Sequence, residues 1–261
     1  MEQTDRGWRD GWAGGDAVTV APGRRLGLLF GLGAVALASL LLVPVEALLP
    51  EPARVPGLRL LALIQPGVLL AVAILAGDRL APLLGFRAPL VDALASGRVV
   101  LLPTGAVRDG LVVAAGVAGL ILGFGALVAG MAVAAPLLAF EVPLAVRLLW
   151  GGIGEELLMR WGAMTTIGWG LWRLCGRPAR LPAALLWVAI GLAALLFAGG
   201  HLPALLLLVP EPPAALLLVV VGNLLPGLLF GWLFARHGIE TAMLAHGGAH
   251  LVAAVAGGVP G

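Results

Sequence analysis

Seven long apolar runs divide this sequence, and they constrain its fold more than any other feature. Each run is close to the roughly 20 residues that an α-helix needs to cross a bilayer. A helix also satisfies its own backbone hydrogen bonds, which lipid requires of a spanning segment. We therefore predict an all-α, polytopic transmembrane helical bundle of about seven spans. The runs are Leu26–Leu49, Leu58–Gly77, Leu111–Ala135, Pro143–Trp172, Pro182–Gly199, Ala214–Phe234 and Ile239–Gly257.

The composition agrees with a membrane protein and excludes other classes. Hydrophobic residues make up 61% of the chain and charged residues 11%, whereas soluble domains carry about 25% charged residues. The net charge is +2, and the arginines stand singly between apolar runs, which argues against nucleic acid as a partner. The one cysteine, Cys175, rules out an intrachain disulfide and a cysteine-based metal site.

The distribution of arginines predicts the orientation of the chain. Met1–Arg25 is a polar tail, and residues 26–261 form a single transmembrane domain in a multi-pass protein of the cytoplasmic (inner) cell membrane. We expect Asp78–Asp109 to be a cytoplasmic loop with a surface-lying amphipathic piece. Most arginines then lie on the side of the tail, and Arg54, Arg59 and Arg147 lie on the other side. By the positive-inside rule the N-terminus is cytoplasmic and the C-terminus is outside.

One apolar run carries three charges that a membrane helix does not carry without a reason. Glu155, Glu156 and Arg160 lie inside Pro143–Trp172, and each charge at that depth costs at least about 2.5–3.5 kcal/mol on insertion scales. Glu156 and Arg160 are four residues apart with the acid first, the favoured order for an ion pair on a helix. Glu155 points elsewhere and has no local partner, which makes it a candidate general base.

The histidines form the second signal, because all four follow residue 200. His201 ends the fifth run, and His246 and His250 are four residues apart on one face of the last run. Each could simply be a hydrogen-bonding residue between helices, but together they favour a shared site. We expect His237, in the turn between the last two runs, to lie at the interface without a role in that site.

Three familiar intramembrane protease chemistries do not fit the sequence. The two serines, Ser39 and Ser96, lack a G-x-S-x-G setting for a nucleophile. None of the aspartates lies inside a predicted span, so an aspartate pair is not available. The H-E-x-x-H zinc helix is also missing.

The remaining pattern resembles a known family. Glu155-Glu156-x-x-x-Arg160, then Phe197-x-x-x-His201, then His246 on the last helix resemble the CAAX protease and bacteriocin-processing (CPBP, or Abi) family. The resemblance covers about residues 140–255, which would be the catalytic core. It is closest to intramembrane glutamic endopeptidases of the Ras-converting type II CAAX prenyl group. It implies hydrolysis of a peptide bond in a membrane-embedded or lipid-linked peptide.

The resemblance also implies roles for individual residues. Glu155 would be the base and His201 its assistant, Glu156 and Arg160 would orient the site, and His246 would stabilise the oxyanion. Where the family motif commonly ends in asparagine, this chain has His250. Histidine can still donate a hydrogen bond to an oxyanion, and Asn223 either replaces the missing amide or bonds between helices.

Several alternatives stay open on the sequence alone. His201, His246, His250 and Glu155 form a plausible zinc-ligand set, although we predict a metal-free site with no cofactor. A non-catalytic scaffold, or a bacteriocin self-immunity protein that sequesters a partner, would use the same cavity, and a small proton-coupled carrier would use the same ionisable groups.

Straight helices would also keep Glu155 apart from His201 and His246, unless the fourth helix tilts, residues 202–213 re-enter the membrane, or the predicted boundaries are wrong.

Overall fold

The structure, a computed structural model, describes residues 22–48, 56–130, 142–208 and 213–257, and these residues form helices and no strands. The helices are α1 (Pro22–Ser39), α2 (Leu58–Ala62), α3 (Ile64–Leu84), α4 (Pro89–Ala95), α5 (Thr104–Ala129), α6 (Leu144–Val146), α7 (Thr165–Leu174), α8 (Ala183–Gly200), α9 (Leu202–Leu208), α10 (Pro213–His237) and α11 (Ile239–Gly257). Short 3₁₀ turns cover Leu40–Leu42 and Val45–Leu48. Two π-helical segments, Arg147–Glu155 and Leu157–Met164, join α6 to α7.

Six helical segments are long and apolar enough to cross a membrane, which confirms the predicted all-α polytopic bundle. They are Gly23–Leu42, Leu58–Leu84, Thr104–Ala129, Ala183–Leu207, Leu216–His237 and Ile239–Gly257. The helical run from α6 to α7, which we call the motif helix, lies between the third and fourth of these segments. The count of seven spans and the orientation of the chain stay predictions.

The predicted cytoplasmic loop Asp78–Asp109 is wrong at both ends, because helices occupy its flanks. Helix α3 continues to Leu84 and stops at Gly85, whose φ of +77° suits glycine. Helix α5 already begins at Thr104. The charge of Asp78 is accommodated on α3 by Arg25, whose Nε lies 2.7 Å from the Asp78 Oδ1.

Helix α1 also begins earlier than expected. It starts at Pro22, inside the predicted polar tail, and therefore carries Arg24 and Arg25 in its first turn. Proline is favoured at this first position because its missing N–H would be unpaired there anyway. The rest of the predicted tail, residues 1–21, lies outside the described residues.

The motif helix packs against its neighbours through small residues. A Cβ added to Gly152 would lie 3.0 Å from the Cα of Gly247 on α11. Gly77 on α3 similarly faces Trp161, and Gly162 faces Ala73. Small residues let membrane helices approach at backbone distance. The motif helix is therefore clamped between α3 and α11.

Only some of the glycines of α5 lie where a described residue of another helix comes close. No described residue comes within 4 Å of a Cβ added at Gly116, Gly123 or Gly125. The close approach of α5 to α11 instead uses Gly110, near Leu244, and Gly248, near Ala114. Spacing alone did not distinguish the face of α5 that meets another helix.

The turn between α10 and α11 is covered by the short helix α4. Gly238 turns the chain with a φ of +105°, and the Ile239 N–H donates to the Arg87 carbonyl at 3.0 Å. One oxygen of Glu240 accepts the N–H groups of Leu90 and Val91 at 2.8 and 2.9 Å. These two N–H groups belong to the first turn of α4 and have no partner within that helix. The contact fixes the level at which α11 starts.

Candidate functional site

The motif helix places its two glutamates in different surroundings. Glu156 is fully buried, whereas the side chain of Glu155 is 19% exposed and lines a cavity of about 280 Å³. The two residues lie where the π-helical segments meet. Such winding is rare and is often found at functional sites. The prediction that only Glu156 has a local partner is confirmed by the contacts that follow.

Glu156 holds a buried network together. Its Oε1 accepts hydrogen bonds from Arg160 Nη1 at 3.0 Å and from His246 Nδ1 at 2.8 Å. Arg160 is 1% exposed and also donates from Nη2 to the Gly227 carbonyl at 3.2 Å. The predicted Glu156–Arg160 ion pair is therefore present, and it extends to the last helix.

Aromatic rings enclose the arginine of this network. The Arg160 guanidinium carbon lies 4.8 Å from the centroid of Phe197 and 5.4 Å from that of Phe230. The Phe230 ring stacks on the His246 ring at 4.6 Å between centroids. Cation–π contacts of this kind partly replace the water that a buried charge loses. Phe230 did not stand out in the sequence, where it is one apolar residue among many on α10.

The contacts of His246 determine which of its nitrogens faces the cavity. An ionised carboxylate only accepts hydrogen bonds, so the Nδ1 of His246 is the donor to Glu156. The Nε2 then points the other way and lies 3.9 Å from the Glu155 Oε2. Glu156 thus orients His246 toward Glu155.

His201 is anchored in the same manner at the end of α8. Its Nδ1 donates to the carbonyl of Phe197 at 2.8 Å, because a carbonyl can only accept. Its Nε2 is left as an acceptor. The residue lies at the break between α8 and α9 and lines the cavity with Glu155.

His250 completes the ring of histidines, one turn beyond His246 on α11. The two ring centroids are 5.2 Å apart, and both residues line the cavity. Gly151 of the motif helix makes room for them, since a Cβ added there would lie 3.3 Å from the Nε2 of His250 and 3.6 Å from that of His246. Any larger residue at position 151 would fill the space between the acid and the histidines.

The structure thus brings Glu155, His201, His246 and His250 to one cavity, which straight helices starting at one level would not do. From His246 back to Ile239, α11 runs about 10 Å, whereas from Glu155 to the end of α7 the motif helix runs roughly 28 Å. The hydrogen bond between His246 and Glu156 joins the two helices at this position, so their ends do not lie at one level.

Two further polar residues do not join this group. His237 is the last residue of α10, donates from Nε2 to the Asp109 Oδ2 over 2.9 Å and does not line the cavity. Asn223 lines the cavity, but its Nδ2 donates to the Val219 carbonyl of its own helix at 2.8 Å. The predicted bond from Asn223 to another helix is not found among the described residues.

The described residues contain no group of three or more His, Cys, Asp or Glu side chains placed to hold a metal ion. One nitrogen of His246 is already committed to Glu156. Its other nitrogen, Nε2, lies 3.9 Å from the Glu155 Oε2. The question of a metal stays open to experiment.

Arg147 also lines the cavity, a place that sequence reasoning did not assign to it. The prediction counted it only among the arginines on the side of the membrane opposite the tail. It begins the first π-helical segment and lines the cavity with Glu155. The spacing of positions 147, 151 and 155, which repeat every four residues along one helix face, is a signal that could have found it.

Fold and site together define a class, namely a polytopic helical membrane protein with a buried acid–arginine–histidine network beside an internal cavity. Residues 138–252 match the family model described as Type II CAAX prenyl endopeptidase Rce1-like. The match covers less than half of the chain, and over these residues the chain is similar to the CAAX prenyl endopeptidases that the model describes. No curated protein and no solved structure matches the chain.

Proposed function

We propose that this protein hydrolyses a peptide bond in a membrane-embedded or lipid-linked peptide by means of an activated water. The observation that carries the proposal is the pairing of Glu155 with two anchored histidines at one cavity. The Glu155 carboxylate lies 3.9 Å from the Nε2 of His246, and His201 shares the cavity with its Nε2 unoccupied. A water held by Glu155 and His201 would have two acceptors for its protons.

The reaction then runs through general-base catalysis. Glu155 takes a proton from the water as its oxygen attacks the carbonyl carbon of the scissile bond. The carbonyl oxygen becomes an oxyanion, and the protonated Glu155 delivers its proton to the departing amine. Atoms and charge balance without a covalent enzyme intermediate.

The oxyanion needs hydrogen-bond donors, and the two histidines of α11 supply them. His246 already donates its Nδ1–H to Glu156, and its Nε2 donates to the oxyanion when that nitrogen also carries a proton. His250 has no hydrogen bond to any described residue and can donate as a neutral ring. A single donor to an oxyanion contributes about 10²–10³-fold in rate.

Glu156 and Arg160 act as positioning residues in this proposal. They do not reach the cavity, but the Glu156 Oε1 fixes the ring of His246, and Arg160 fixes Glu156. The substrate is of the CAAX type that the family model names. Such a substrate ends in a lipid-modified cysteine, two aliphatic residues and one terminal residue. The apolar walls of the cavity, among them Val146, Trp150 and Phe197, suit such residues. We place the protein in the cytoplasmic membrane.

The test is proteolysis by the purified full-length protein in detergent. The wild type and Glu155→Gln are incubated with a library of membrane-embedded and lipid-linked peptides, and new chain ends are identified by mass spectrometry. Cuts made by the wild type and missing with Glu155→Gln support the proposal. Equal cutting by both proteins contradicts the role of Glu155. Peptides that bind without being cut favour the scaffold, or the immunity protein that sequesters a partner.

A further inference from the structure

The cavity contains one cation that the reaction above does not use. Arg147 lines the cavity, and its Nε is buried without a hydrogen-bond partner. No described acid lies within ion-pair distance of it, in contrast to Arg160 on the same helix. A buried guanidinium N–H left unpaired is costly, and such groups in native proteins call for an explanation.

We propose that Arg147 binds the free C-terminal carboxylate of the peptide substrate and thereby sets where the chain is cut. This inference rests on the proposed function, since it names a specificity-determining residue for that reaction. Arginine suits the task because its planar fork of N–H donors matches the two oxygens of a carboxylate. The remaining polar groups of the cavity, Glu155 and the histidines, are placed for the scissile bond.

The spacing along the motif helix sets the distance from the cut to the chain end. Arg147 and Glu155 are eight residues apart on one side of the cavity, about 12 Å at the α-helical rise and less with π winding. An extended peptide covers about 3.3–3.6 Å per residue. A carboxylate on Arg147 therefore places the scissile bond near Glu155 roughly three residues from the chain end.

Charge complementarity also favours a carboxylate at this position, since Arg147 and His250 line the same cavity. A bound carboxylate would neutralise Arg147 and would leave His250 able to donate to the oxyanion. A neutral chain end would leave the buried Nε–H of Arg147 unpaired.

The experiment compares two peptides that differ only in the C-terminal group. Both are S-farnesylated tetrapeptides with cysteine, two aliphatic residues and a terminal residue, one as the free acid and one as the carboxamide. The full-length protein is assayed in detergent as wild type, Arg147→Gln, Arg147→Lys and Arg59→Gln. Arg59 is the matched control, because it is exposed and bonded to Glu46 and does not line the cavity.

We expect the wild type to prefer the acid over the amide by about 10–100-fold in kcat/KM, as loss of a hydrogen bond to a charged group predicts. The preference should disappear in Arg147→Gln, persist in part in Arg147→Lys and remain in full in Arg59→Gln. Equal cleavage of both peptides by the wild type overturns the proposal. This comparison uses the wild type alone, so it does not depend on whether a variant folds. An unchanged acid preference in Arg147→Gln overturns it as well.

A binding measurement separates this inference from the proposed function. Fluorescence anisotropy of the same two peptides, labelled at the N-terminus, is recorded with Glu155→Gln and with Glu155→Gln/Arg147→Gln. Acid-selective binding that needs Arg147, without cleavage by the wild type, contradicts the protease function and supports the carboxylate site. Cleavage of both peptides without any acid preference supports the protease function and contradicts the carboxylate site.

Discussion

Two clusters in this protein each combine an acidic residue, an arginine and a histidine, but in very different surroundings. In the first, Glu156 joins Arg160 and His246, and all three side chains are at most 6% exposed. In the second, Asp109 joins Arg108 and His237, where the Arg108 side chain is 72% exposed. Both clusters place a carboxylate between an arginine and a histidine. The residue types therefore do not by themselves define a reactive site.

The difference lies in what surrounds each carboxylate. The buried cluster stands beside a second acid, Glu155, and the cavity that this acid lines, so its histidine can be directed at a substrate. The Asp109 cluster joins α5 to the end of α10, and no second described acid contacts its histidine. It stabilises the packing of two helix ends. Chemistry is expected where an oriented histidine, a second acid and a cavity coincide.

The largest expected effect is the loss of activity in Glu155→Gln. The amide keeps the shape of the side chain but cannot take a proton from water, and general-base catalysis contributes about 10²–10⁴-fold. The matched change in the other cluster, Asp109→Asn, should leave cleavage within a few-fold of wild type. Initial rates with one farnesylated peptide measure both. Substantial activity in Glu155→Gln, with normal folding by circular dichroism, would rule out its role as the base.

Stability should separate the clusters next. Arg160→Ala leaves the buried carboxylate of Glu156 without its cation, and breaking a buried pair costs on the order of 3–5 kcal/mol. Arg108→Ala removes an exposed partner, and such pairs contribute about 0–1 kcal/mol. Thermal unfolding in detergent compares the two variants with the wild type. Equal melting temperatures for Arg160→Ala and Arg108→Ala would show that burial does not distinguish the clusters.

A smaller effect is expected from the packing that brings the first cluster to the cavity. In Gly152→Ala the new Cβ meets the Gly247 backbone at 3.0 Å, and overpacking of this kind costs about 1–3 kcal/mol. Gly116→Ala is the matched control, since no described residue lies within 4 Å of its added Cβ. Melting temperatures and initial rates should fall for Gly152→Ala alone. A Gly152→Ala protein with wild-type stability would mean that α11 moves away at little cost.

The sequence predicted most of the fold because apolar length alone specifies membrane helices. It also placed Glu155, Glu156 and Arg160 together, since helix periodicity makes positions 156 and 160 neighbours. It did not predict the contact of Glu156 with His246, because residues 90 positions apart meet only through the packing of α11 on the motif helix. The start of α11 is held by Glu240, which accepts two backbone N–H groups of the short helix α4, a contact that no periodicity reveals.

Arg147 and Phe230 show a second limit of the sequence. A single arginine near the end of a predicted span fits an interfacial residue as well as a cavity residue, and only the cavity beside it decides between them. Phe230 lies in an apolar stretch where every position looks alike. Its contacts with Arg160 and His246 depend on the rotation of α10, which hydrophobicity does not fix.

The smallest expected effect concerns metal, where the two clusters should behave alike. A catalytic zinc normally takes three protein ligands at about 2.0–2.2 Å, and the Nδ1 of His246 is already bonded to Glu156 at 2.8 Å. We predict that the protein purified without a metal-affinity resin carries no stoichiometric zinc and that a chelator leaves its cleavage rate unchanged.

Elemental analysis is made on the wild type, His246→Ala, His250→Ala and His237→Ala, the last being the histidine of the Asp109 cluster. One zinc per chain that is lost in His246→Ala and His250→Ala but kept in His237→Ala would replace the metal-free mechanism with a metal-bound water, and Glu155 would then act as a ligand or as the base beside it.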